Sequence, residues 1–178
     1  MRFKEDVRAD AGENLTDRLL VPLADTTIDA TSQEEHVYQI LADMRQAALI
    51  SQQSDAPWAP HALLQYGLYK QFLSSPESCR KTVQKRRETI SAADPASPEL
   101  PYLDRLDAAL AGLALRHSSR YRLLTQHLQA LGWDGSSTSP RVLVFTEYRE
   151  TQDALAAALA QDFPHSIGFS GGSLGLRW

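Results

Sequence analysis

Five positive charges fall within eight residues of this chain, at Arg80, Lys81, Lys85, Arg86 and Arg87, with no acid among them. Lysine and arginine gathered on one helix neutralise phosphates by sequence-independent attraction and counterion release, so one chemistry open to the cluster is contact with a nucleic-acid backbone. The same charges also suit an ordinary solvated helix face. Positions 81 and 85 share a side, as do 80, 84 and 87, so the charge wraps round the helix and forms no single stripe. A second stretch, Thr146-Glu147-Tyr148-Arg149-Glu150, is a polar turn between an apolar run and an Ala/Leu-rich segment. α/β proteins place ligands at such carboxyl ends of strands, and a plain turn with good capping chemistry fits equally. Gly168, Gly171, Gly172 and Gly175 are dense but fit neither a dinucleotide fingerprint nor a phosphate loop, and read as a flexible tail.

Other chemistries find no support in the residues. There is no Gly-x-Ser-x-Gly elbow, no His-Glu-x-x-His helix and no kinase signature. Cys79 is the single cysteine and the five histidines are far apart, without ligand spacing. The adjacent acids Glu34 and Glu35 suit the positive end of a helix dipole better than a catalytic cleft. No complete catalytic site, cofactor site or metal site is expected in this chain. Its 178 residues, 43% hydrophobic and 22% charged with a formal net charge of −4, suit one ordinary globular domain or two small ones. The charged N-terminus lacks the apolar core of a signal peptide, and no apolar run approaches the roughly 20 residues that span a bilayer. No membrane contact and a cytoplasmic setting are expected.

The elements that must position these groups are mostly helical. Ser32 reads as an N-cap with Glu35 completing a capping box, followed by Val37, Ile40, Leu41, Met44 and Ala48 at helical spacing. Leu63, Leu64, Gly67, Leu68, Phe72 and Leu73 make a second helical pattern. Ser74-Ser75-Pro76-Glu77 starts the basic helix, whose thin apolar face is Cys79, Val83 and Ile90. A Pro/Ala/Ser-rich stretch at 92–101 reads as a linker. Leu103, Leu106, Leu110 and Leu113 predict another helix; Tyr121, Leu124, Leu128 and Leu131 predict one more, stopped by Gly132. Leu19-Leu20-Val21-Pro22-Leu23 reads as extended and edge-like. Val142-Leu143-Val144-Phe145 is continuous and β-rich, as in a strand covered on both faces of a parallel sheet. Ser166-Ile167-Gly168-Phe169 reads as the next strand. The fold expected is mainly α with a partial α/β unit at the C-terminal end.

Three stretches, in order, resemble the bacterial Swi/Snf-like superfamily-two helicases. Arg2-Phe3-Lys4-Glu5-Asp6-Val7 with Asp17-Arg18 is similar to the junction leaving their first motor lobe. Residues 63–90, above all Leu73-Ser74-Ser75-Pro76-Glu77-Ser78, resemble their helical insertion. Residues 141–151, from Arg141-Val142-Leu143-Val144-Phe145 to Thr151, resemble the strand called motif IV that opens the second lobe. The resemblance implies a lobe junction at 1–31, a helical insertion at 32–91, the linker at 92–101 and a truncated RecA-like second lobe at 102–178. It implies DNA as partner of the full-length protein, with a first motor lobe or another protein as a further partner, and ATP and magnesium for the parent family alone. It also implies that Thr146, Tyr148 and Arg149 face DNA, joining Arg80, Lys81, Lys85, Arg86 and Arg87 as nucleic-acid contacts, while Glu147 turns away to cap backbone. The phosphate loop and acidic metal motif are absent here, so the expected function is a piece of a helicase-like DNA translocase without its own ATP hydrolysis. A stand-alone helical protein-interaction module, or a folded remnant of a helicase gene, is the alternative.

Overall fold

The computed structural model of this chain describes residues 27–53, 62–136 and 138–164. Its elements are α1 (Ser32–Gln53), α2 (Ala62–Ser74), α3 (Pro76–Ala93), α4 (Leu100–Ala111), a 3-10 turn (Leu115–His117), α5 (Ser119–Ala130) and α6 (Arg149–Asp162). The extended reading of 19–23, the strand at 166–169 and the glycine-rich tail lie outside the described residues.

Local chemistry sets most helix ends. At α1 the capping box sits one residue earlier than the sequence suggests. The Thr31 amide donates to Glu34 Oε2 at 2.8 Å and the Glu34 amide donates to Thr31 Oγ1 at 3.2 Å. Ser75 caps α3, accepting from the Ser78 amide at 3.0 Å, with Pro76 in the first turn where no amide partner is needed. Gly132 ends α5 in the left-handed region at φ 73°. Its amide donates to the Gln129 carbonyl and that of Trp133 to the Leu128 carbonyl, which satisfies two carbonyls of the last turn.

The apolar faces of α1 to α4 close on one core: Val37, Ile40, Leu41 and Met44 from α1, Leu68 and Phe72 from α2, Cys79 and Val83 from α3, and Leu103, Leu106 and Leu110 from α4, with Leu113 beyond it. The Tyr38 ring meets Phe72 edge-on at 5.0 Å and stacks with Tyr69 at 6.5 Å. Leu73 and Leu131, which the sequence pattern places on apolar faces, are exposed. A smaller cluster joins Leu115 and Tyr121 to Ala154, Leu155, Ala158 and Leu159 of α6. The stretch at 92–101 is the end of α3, a structured turn at 94–99 and the start of α4: the Asp94 amide reaches the Ile90 carbonyl, and Ser97 and Glu99 are buried.

The seam between the two clusters is polar and almost fully bonded. Buried Glu34 also accepts the Ser119 amide and hydroxyl at 3.1 and 3.0 Å, so one carboxylate serves the starts of α1 and α5. Arg120 donates to the Phe72 carbonyl and to the Tyr38 hydroxyl. Glu77 accepts the Leu115 amide at 2.8 Å. The Thr151 hydroxyl lies 2.8 Å from both Ser74 Oγ and Ser75 Oγ, docking α6 on the α2–α3 corner.

The expected α/β unit is not formed. Among the described residues there is no strand and no sheet, so the partial RecA-like parallel sheet is corrected to an all-helical arrangement. The 142–145 run takes no regular secondary structure, and Leu143 is 83% and Phe145 91% exposed. A strand is held by a neighbour that takes its amides and carbonyls. No described segment does so here. A continuous apolar run reads as a covered strand from sequence because the pattern encodes a preference for burial and says nothing of what supplies the cover.

Candidate interaction site

The basic helix is where sequence reasoning placed its first functional groups, and the fold brings acids to most of them. Arg80 donates to Asp107 at 2.9 Å, beside Gln84 on the same carboxylate. Lys81 donates to Glu150 at 2.5 Å, Arg87 pairs with Asp104, and Arg86 grips Glu99 through two hydrogen bonds of 3.0 Å. Lys85 alone of the five has no ion pair among the described residues. The acids come from α4, from the residue that begins it and from the first turn of α6. Most of this charge therefore latches helices together.

These pairs differ in weight. Arg87–Asp104 and Lys81–Glu150 keep at least one partner largely in water, where an ion pair contributes about 0–1 kcal/mol. Glu99 is 1% exposed, and its carboxylate is shielded from water by a two-point guanidinium fork. The hydrogen bonds that Arg86 donates to Glu99 raise the Arg86 pKa, outweighing the opposing effect of burial.

The second predicted site, at the start of α6, is also placed. Tyr148 is the N-cap residue, with no side-chain cap, and Arg149 is exposed as the first helical residue. Glu147 does not cap backbone; it accepts from Lys70 at 2.7 Å. Thr146 Oγ1 is buried and without a hydrogen-bond partner among the described residues. Lys81 and Glu150 bring the basic helix against this turn, so the two predicted regions are neighbours joined through an acid.

Beside them lies the run that the sequence predicts to be a strand covered on both faces of an incomplete sheet with one open edge, and the structure leaves its faces open as well. Residues 141–147 form no backbone–backbone hydrogen bond with a described residue. Leu143, Val144 and Phe145 show 83, 45 and 91% of their surface, the longest unbroken row of exposed large apolar side chains among the described residues. The segment borders a groove of about 280 Å³ with Ser74, Leu115, Arg120, Tyr121, Leu124 and Leu155 on its other walls. The Arg120 guanidinium there is already bonded to Phe72 and Tyr38, so the groove offers apolar walls more than a charge for a ligand. The available signal was the mismatch between a β-rich apolar run and its flanks, a Ser/Pro loop on one side and a helix start on the other.

Among the described residues no cluster of three or more histidine, cysteine or acidic groups is arranged to hold a metal ion, and no helix is long and apolar enough to cross a membrane. Burial pushes the Cys79 thiol up to about 12, which leaves it inert as a nucleophile. Comparison with known proteins finds no matching family, no matching curated sequence and no matching solved structure.

Proposed function

We propose that this chain is a helical protein-interaction module that offers residues 141–147 as an open β-edge to a strand of another polypeptide. The observation that carries this reading is the row of exposed apolar residues whose backbone bonds to no described segment. Added-strand recognition uses these parts: main-chain amides and carbonyls supply affinity and alternate side chains supply selectivity. A soluble protein seldom leaves such an edge open, because it templates association. The helices supply the platform, with α6 fixed to the α2–α3 corner by Thr151 and by the Lys70–Glu147 and Lys81–Glu150 pairs. Nucleic-acid backbone binding is the competing reading, and it draws less support because acids already engage Arg80, Lys81, Arg86 and Arg87.

A photoreactive benzoylphenylalanine in place of Phe145 tests the proposal in the cells that make the protein. The expected product is a cross-link to a strand-forming segment of a polypeptide, lost when Val144→Pro removes an amide from the edge. Cross-links to nucleic acid alone, or a protein cross-link indifferent to the proline, would overturn it.

A further inference from the structure

Resting on the open-edge reading, we infer that the strand received by residues 141–147 is the same segment of a second copy of this chain. The segment is chemically symmetric about Val144. Laid antiparallel on itself with Val144 facing Val144, it sets Leu143 opposite Phe145, Val142 opposite Thr146 and Arg141 opposite Glu147. These are an aliphatic–aromatic pair, a pair of near-isosteric β-branched residues and a pair of opposite charges, all favourable across an antiparallel ladder. Two-fold symmetry repeats each of them, so both ends of the paired strands carry a charge match.

The register is specified by the same residues. A shift of two positions faces Arg141 with Phe145 in one direction and Glu147 with Leu143 in the other, which loses both charge matches. The strand is bounded as well: Pro140 has no amide to give, and Tyr148 is already the N-cap of α6. Leu143 and Phe145 share a face and are the two most exposed large apolar side chains in the segment, so facing each other removes apolar surface from water in both copies. Glu147 meets Lys70 through Oε1 only, in a pair that is half-exposed on both sides, and its Oε2 remains able to accept from an arginine across the ladder.

Sedimentation equilibrium and thiol cross-linking test this on the full chain, with helical circular dichroism reporting that each variant is folded. The native protein is expected to show a reversible monomer–dimer equilibrium. Arg141→Glu sets like charges opposite at both ends and should raise the dimer dissociation constant by about fivefold or more; adding Glu147→Arg should bring it back. Val144→Cys should give a disulfide-linked dimer under mild oxidation, because that residue faces itself and Cys79, the only native thiol, is buried. Leu143→Cys, whose copies sit diagonally, should cross-link less. A monomer at all concentrations, or a dimer indifferent to both charge variants, would overturn the inference. A monomer whose residue 145 still cross-links to a strand of a different protein would reject self-pairing and leave the open-edge reading standing. Cross-links to nothing would end both.

Discussion

Two buried carboxylates carry more of this fold than their number suggests. Burial alone would raise the Glu34 pKa, but hydrogen bonds from the Thr31 and Ser119 backbone and hydroxyl groups overcome that and lower it. A lowered acid adds stability that is complete above the ordinary glutamate value of 4.5 and is lost as pH falls through the folded value. Glu34→Gln should therefore destabilise the protein by about 1–3 kcal/mol at neutral pH. Urea unfolding of both proteins across pH 7 to 3 should show the gap closing toward the acid end; a gap that stays constant would mean the charge is irrelevant. Glu99 behaves differently because its partner is a cation. Arg86→Gln strands a buried carboxylate and should cost about 3–5 kcal/mol, whereas Lys85→Gln should stay within about 0.5 kcal/mol. Lys85 is thus the clean probe of nucleic-acid affinity on α3, and a variant that includes Arg86 confounds binding with folding. Thr146→Val keeps the shape and removes a buried hydroxyl with no described partner, so its melting temperature should be equal to or above that of the native chain.

At the scale of elements, the helices were legible in the sequence because each rule that marks them is local. Ser75-Pro76, the Leu103/Leu106/Leu110 spacing and the Gly132 stop all operate within one or two turns. The capping box was misplaced by one residue because Thr31 and Ser32 are both competent caps, and the choice falls to Glu34, which also reaches Ser119 across the fold. The ion pairs were illegible for the same reason. Asp104 and Asp107 lie on another helix, and only packing of α3 on α4 sets them against Arg87 and Arg80. The 142–145 run failed differently: its β character is local, but a sheet is a property of two segments. Gly132→Ala tests the local account. Forcing a Cβ into the left-handed region should cost about 1–2 kcal/mol in thermal or urea unfolding, although nothing crowds that position. A neutral result would mean that the cap relaxes.

For the whole molecule, the described helices form a main core and a smaller cluster joined across a bonded polar seam, and the apolar segment 141–147 stays outside both. Among the described residues, that segment is where β preference and apolar character agree with each other and disagree with the surroundings. Local conflicts of this kind gather at functional sites, where another molecule resolves them. On the proposed function, 141–147 is open in the single chain and closes only against another strand. Residue-resolved amide hydrogen exchange, followed as the protein is concentrated, tests it most directly. Exchange at 141–147 should be nearly unprotected in dilute solution while the core of α1 and α4 is slow, and protection should then rise with concentration along the segment and fall again in Arg141→Glu. Strong protection of those amides at high dilution, independent of concentration, would mean that the chain already supplies their partners and would contradict an open edge.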